Sequence, residues 1–280
     1  VSLDARVTPL RDGLAARSLE GVVAAKTYVD PTPKRCAAPA AAIRRAPDAA
    51  SEQMDQLLFG ELFDPLTEEG GWAWGQARRD GYVGFVEAAA LSPLGEPPTH
   101  RIGALRTYAF AQASIKSRAS GPYSLNALVR VEEMSGALAT VAGAGWMAAR
   151  HLSPLGEFEA DPAAVAERFL GAPYLWGGRE SLGLDCSGLV QQALFACGLA
   201  CPRDADQQSR IGREIRRAEF GRGDLVFWKG HVAMGLDAER IVHANGHHMA
   251  VAVEPLDAAV ARIRAAGDGE PTGFRRVIER

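Results

Sequence analysis

Two rhythms of apolar and polar positions divide the chain. Up to about residue 157 the apolar runs are short: Val22-Val23-Ala24-Ala25, Leu57-Leu58-Phe59, Trp72-Ala73-Trp74 and Leu128-Val129-Arg130-Val131. Gly, Pro and Asp interrupt them before a helical period can establish itself, a pattern that predicts small all-β barrels. An internal echo sharpens this. Residues 84–96 read GFVEAAALSPLGE and residues 145–157 read GWMAARHLSPLGE, so Gly84 pairs with Gly145, Phe85 with Trp146, and LSPLGE recurs in full at an offset of 61. Such a repeat predicts two tandem modules. The Trp72-Ala73-Trp74 pair is expected in a barrel core, and the Pro-, Ala- and Arg-rich residues 33–50 are expected to form a long loop of the first module.

After Glu157 the spacing becomes helical. Asp161-Pro162 supplies an N-cap followed by Pro at the first helical position, and Val165, Phe169 and Leu170 fall on one face before a Gly stop. A second helix is predicted from Cys186 to Cys197, with Gly198 at its end. Strands follow at 224–228, 231–236, 240–243 and 251–253, then a helix at 256–266 spaced by Leu256, Val260 and Ile263. Helices first and antiparallel strands afterwards define an α+β domain. The expected boundaries are 1–20 for an N-terminal helical or extended segment, 21–97 and 98–157 for the two barrels, and 158–280 for the α+β domain.

Composition narrows the function class. With 280 residues, 47% hydrophobic and 23% charged, the chain reads as an ordinary soluble globular protein. Lys+Arg 31 against Asp+Glu 34 leaves a net charge of −3, so no general basic field is available for a nucleic acid, and no nucleic-acid partner is expected. No run of about 18 apolar residues occurs, so no membrane-spanning helix is expected. The first residues lack the apolar stretch of a secretory signal, which favours the cytoplasm. The chain starts at Val1 rather than Met, and an extracellular or periplasmic location stays open for a processed chain. Four cysteines (Cys36, Cys186, Cys197, Cys201) are too few for a disulfide scaffold.

Chemistry concentrates in the stretch from Tyr174 to Gly188, where glycines crowd around Cys186 at a loop-to-helix junction. A thiol at a helix N-terminus meets the positive end of the macrodipole and unpaired N–H groups, which favour thiolate and could hold an oxyanion. A nucleophile needs a base and an orienter. His231 and His243 lie twelve residues apart on successive predicted strands, so a short turn could bring them side by side. His231 would take the thiol proton, and His243 would fix its tautomer. Cys197 and Cys201 are expected to be structural, and His247 and His248 to lie in a solvated turn. No metal or cofactor is expected.

These residues resemble the NlpC/P60 cysteine peptidases, a papain-like family that cleaves peptidoglycan peptides. The likeness runs over residues 160–280 through YLWGG, DCSG, PRDADQQ, GDLVFW-GHVAM and IVHA, with Cys186, His231 and His243 at the family's triad positions. The preceding repeats resemble two bacterial SH3 modules. This layout is similar to γ-D-glutamyl-L-diamino acid endopeptidases acting on free murein peptides during wall recycling. That resemblance implies a pocket for the free amine of an N-terminal L-Ala, with Asp204 facing it and Trp176, Asp185 and Ser187 along the groove. It also implies that Glu61 and Tyr82 close the pocket and that Tyr174 assists the Cys186 N–H at the oxyanion. Many relatives have Ser after the Asp; here Ala205 removes that hydroxyl. Murein peptide is thus the expected partner, and the oligomeric state is unassigned. The alternatives are an amidase or acyltransferase on the same scaffold, or a non-catalytic SH3-type wall- or peptide-binding protein.

Overall fold

The computed structural model describes residues 3–279; Val1 and Ser2 of the expected N-terminal segment, and Arg280, lie outside the described residues. The chain forms two units, one ending at Leu155 and the next beginning at Gly156.

The first unit is all β apart from single 3₁₀ turns. Its N-terminal segment makes a hairpin (Leu10–Arg11 with Leu14–Ala16) that continues into a parallel pairing with Thr27–Val29. The apolar run at Val22–Ala25, expected as barrel strand, forms a turn and coil instead. A seven-stranded sheet follows, around Ile43, Leu57, Phe63 and Val86. Residues 33–50 are not the long loop expected: Lys34–Cys36 and Ala40–Arg44 are strands of this sheet. Alanine is depleted in strands in general, which masked a two-residue alternation that buries Ala41 and Ile43. Trp74 is core, as expected of the WAW pair, while Trp72 is only half-buried.

Residues 100–154 build a second β module, with a five-stranded and a three-stranded sheet, around Ile102, Tyr123, Val141 and Met147. The echoed sequence adopts the same course twice. Strand Val83–Glu87, a 3₁₀ turn at Ala88–Ala90 and strand Leu91–Pro93 are matched by Gly145–Ala148, Ala149–His151 and Leu152–Pro154. In each copy the Leu that opens the last strand is buried.

In the second unit α1 (Pro162–Glu167) starts at Asp161, whose carboxylate accepts from the Ala163 and Ala164 N–H groups. A small hairpin, β1 (Arg179–Glu180) and β2 (Gly183–Leu184), leads into α2 (Cys186–Ala196). A single turn, α3 (Ala205–Gln208), follows. The main sheet contains β3 (Arg213–Glu214), β4 (Leu225–Trp228), β5 (His231–Gly235), β6 (Arg240–Asn245), β7 (Ala250–Pro255) and β8 (Gly273–Arg276). It is antiparallel throughout, in the order β3-β8-β4-β5-β6-β7. Helix α4 (Leu256–Ala265) packs Leu256, Ala259 and Ile263 against Val226, Trp228, Ala233 and Ile241. Every residue of α2 is buried, the polar Ser187, Gln191 and Gln192 included. It packs on α1 and on β5 and β6, the strands that carry the two histidines.

The first turn of α2 sits so close to the preceding loop that only glycine fits at position 188. A Cβ there would lie 2.3 Å from the Gly178 carbonyl oxygen. Replacing Gly by Ala inside a helix ordinarily stabilises by about 0.5–1 kcal/mol. Here overpacking reverses the sign, and Gly188→Ala is expected to cost about 1–3 kcal/mol in urea unfolding. A more stable variant would show that the loop yields freely.

Candidate active site

Asp185 organises the start of α2. Its Oδ1 accepts from the Gly188 N–H (2.8 Å) and the Ser187 hydroxyl (3.2 Å), and its Oδ2 from the Gly177 N–H (2.9 Å). Arg203, only 1% exposed, grips both oxygens at 3.0 and 2.7 Å. The same guanidinium donates to Ser187 Oγ at 2.8 Å. Asp185 and Ser187, expected along the substrate groove, are therefore committed to holding the helix start. Both are buried. Arg203 escaped sequence reasoning, although it stands beside Asp204 in the PRDAD motif; nothing local says which carboxylate an arginine will find.

Cys186 is the first residue of α2, and it is buried. Burial, and next the Asp185 charge, push its thiol up to about 12, against N–H groups of Val232 and Ser187 and the Arg203 charge. Desolvation thus works against the thiolate that the helix terminus favours. Because Val232 donates to the sulfur, Cys186 lies against the strand end that carries His231.

Between the histidines runs a chain of hydrogen bonds. His231 Nε2 meets His243 Nδ1 at 2.8 Å, and His243 Nε2 meets Glu254 Oε1 at 2.7 Å. Arg262 closes the chain on the same Glu254 oxygen. Burial pushes Glu254 up, but hydrogen bonds from His243 and Arg262 outweigh it and bring the carboxyl down to about 2. Burial, and after it the neighbouring His243 and Arg262, lowers His231 to about 3. His243, 0% exposed, is also lowered by burial, against the pull of Glu254.

These protonation states assign the tautomers. A carboxylate only accepts, so His243 Nε2 carries hydrogen and its Nδ1 is the acceptor; His231 Nε2 then donates. His231 Nδ1 is left with a free lone pair, which is what a general base requires. Burial disfavours a lone thiolate and a lone imidazolium, yet proton transfer from sulfur to ring creates both together, each offsetting the other's cost.

Glu254 was missed in the sequence. It stands on β7 opposite Ile241, one pleat along from Ala252, the partner of His243, and so on the same face as His243. The available signal was its place in a strand next to RIVHAN, but only the register makes it a neighbour.

The remaining expected residues scatter by role. Tyr174 is half-buried, and its hydroxyl is raised by burial and by the charges of Cys186 and Asp185, so it lies near the thiol as a protonated donor. Trp176 is 59% exposed, too open to be packing. Asp204 is the N-cap of α3 in a capping box with Gln207. Glu61 and Tyr82 lie buried in the first unit, where Glu61 Oε2 accepts from the Leu58 N–H at 2.9 Å. His248 is held by Asn245 Oδ1 at 2.9 Å and comes within 4.8 Å of the donor atoms of His243 and Glu254. A metal ion there would have to displace both the His243 proton and Arg262.

A thiol at a helix start, packed against a sheet whose histidines are wired to a carboxylate, is the equipment of a cysteine peptidase. Comparison with known proteins places the domain. Residues 171–266 match the NlpC/P60 family, and residues 43–91 match the bacterial dipeptidyl-peptidase Sh3 domain. The chain therefore carries a papain-like NlpC/P60 domain after an SH3 domain, and it is a cysteine peptidase. A γ-D-glutamyl-L-lysine dipeptidyl-peptidase of Bacillus subtilis is 27% identical over 210 residues, covering 68% of this chain and 71% of the relative. Dipeptidyl-peptidase 6 of Lysinibacillus sphaericus is 37% identical over 101 residues, covering 36% of this chain and 37% of that protein. The crystal structure of an NlpC/P60 family protein from Bacillus cereus shares the fold, with a TM-score of 0.77 at 19% identity over 89% of this chain and all of that one.

Two outcomes are expected. Glu254→Gln keeps an acceptor for His243 but removes the charge; a charge-assisted bond contributes about 1.5–3 kcal/mol, so kcat/KM should fall roughly ten- to a hundredfold. Unchanged kinetics would show that the carboxylate does not act through the histidines. For stability, the folded pKa of His243 lies below its unfolded value, so the protein is most stable above about pH 6.5 and loses stability as pH falls through that value. Glu254, also depressed, adds a second loss from about pH 4.5 downward toward 2. Urea unfolding should show a first slope of up to about 1.4 kcal/mol per pH unit for each buried histidine, reduced in His243→Asn.

Proposed function

We propose that the protein hydrolyses the bond between γ-D-glutamate and the diamino acid of murein peptides that carry a free N-terminal L-Ala. The support is the Cys186 thiol at the start of α2 and the hydrogen-bonded His231–His243 pair within an NlpC/P60 domain, together with similarity across two thirds of the chain to a γ-D-glutamyl-L-lysine dipeptidyl-peptidase.

Cys186 Sγ attacks the γ-amide carbonyl as His231 Nδ1 takes its proton. The Cys186 N–H at the helix start and the Tyr174 hydroxyl stabilise the oxyanion. His231 returns the proton to the nitrogen of the leaving diamino acid, and the acyl group stays on sulfur as a thioester. Water, deprotonated by His231, then releases L-Ala-γ-D-Glu and the thiol. Throughout, His243 and Glu254 hold the Nε2–H side of His231. Trp176, exposed beside the catalytic loop, lines the groove, and Asp204 receives the substrate ammonium. The second β module is a second SH3-like copy, supported by the repeated strand–turn–strand course. Action on free peptides in wall recycling would place the enzyme in the cytoplasm. Among the described residues no helix is long and apolar enough to cross a membrane. A second reading, an amidase or acyltransferase on the same scaffold, shares every step up to the thioester and differs only in substrate.

Mass-spectrometric digestion of L-Ala-γ-D-Glu-meso-diaminopimelate, free and N-acetylated, tests the proposal. Only the free peptide should be cleaved, and Cys186→Ala should lose at least roughly a thousandfold in kcat. Equal cleavage of both peptides would remove the amine-reading pocket. Failure on both, with Cys186 still reactive toward an alkylating agent, would favour the second reading.

A further inference from the structure

The β4–β5 turn, the chain after β6 and the end of α4 surround an open cavity of about 380 Å³ that His231 borders. This volume falls within the range of about 300–1,000 Å³ typical of ligand sites. Its lining holds two cations, Lys229 and Arg262. Lys229 is exposed and makes no ion pair among the described residues. Arg262 is bound to Glu254 through one terminal nitrogen, while its Nε is buried without an acceptor. The indole N–H of Trp228, in the same wall, is also buried without an acceptor. His247 adds a further polar ring, and Asp268 is the one carboxylate among the lining residues. The Lys229 ammonium and the Arg262 guanidinium give the cavity a positive side, a field that an anion offsets.

We propose that this cavity is the subsite for the leaving residue and that it reads that residue's free α-carboxylate. The inference rests on the reading given under Proposed function and extends it to the far side of the scissile bond. His231 protonates the leaving nitrogen, so whatever follows that nitrogen extends on the His231 side. In a diamino acid the α-carboxylate stands one carbon from that nitrogen, toward Lys229 and Arg262, and the side-chain ammonium has Asp268 as its counterpart. The preferred substrate is therefore a short peptide ending at the diamino acid. Further extension turns the carboxylate into a neutral amide and leaves the cationic wall without its partner.

The test compares kcat/KM for L-Ala-γ-D-Glu-L-Lys, its C-terminal carboxamide, and L-Ala-γ-D-Glu anilide, whose leaving group is uncharged. Each is measured with wild-type protein, Lys229→Ala and Lys229→Glu. Wild type should favour the free acid over the carboxamide by about tenfold or more. Lys229→Ala should reduce that preference to roughly twofold, and Lys229→Glu should abolish or invert it. A wild-type ratio near one, or a ratio untouched by both substitutions, would overturn the proposal. Cleavage of none of the three by wild type, the anilide included, would instead overturn the substrate reading on which it rests. Because each variant is judged by its own ratio, partial loss of folded protein does not affect the outcome.

Discussion

The buried ion pair between Asp185 and Arg203 is the constraint on which the catalytic domain depends. Taking both charges out of water is costly, and the cost is tolerable only when each lone pair and N–H finds a partner. Asp185 accepts from Gly177, Ser187, Gly188 and both terminal nitrogens of Arg203. That one carboxylate therefore ties together the glycine loop, the first turn of α2 and the segment leading into α3. Cys186 is fixed between them, and the narrow space at Gly188 follows from the same convergence.

This arrangement carries an electrostatic consequence. The Asp185 charge that builds the helix start also opposes ionisation of the adjacent thiol, and burial opposes it further. The domain answers with a second set of charges placed farther away. Glu254 stays ionised because His243 and Arg262 both donate to it, and its negative charge favours a proton on the histidine pair. Arg262 works in the opposite sense on His231, so the Glu254–Arg262 pair moderates the base instead of trapping it as an imidazolium. Proton transfer from the thiol to the imidazole creates both charges together, so each offsets the burial cost of the other.

Arg262 also joins two parts of the domain. One terminal nitrogen supports the hydrogen-bonded histidines, and the same side chain lines the cationic cavity beyond His231. It reaches both from α4, a helix whose apolar face is set by Leu256, Ala259 and Ile263 against the sheet. The packing of an ordinary amphipathic helix thus fixes a charge at the boundary between the base and the leaving side.

Local chemistry made much of this legible without coordinates. The Asp-Cys junction and its glycines marked a helix start, the spacing of His231 and His243 marked neighbouring strands, and the LSPLGE echo marked two β modules with one course. Each of these is encoded within a few residues, through caps, turns and side-chain alternation. The strands at 34–36 and 40–44 were hidden because alanine and proline carry little strand preference until a sheet buries them. Glu254, Arg203 and Arg262 were hidden for a different reason. Their roles depend on which strands pair and in which register, and on which buried carboxylate a long arginine meets. The sequence by itself determined the order of the nucleophile and the two histidines and the elements that carry them. Only the tertiary structure decided their protonation, because burial and partners distant in the chain set the cost of each charge.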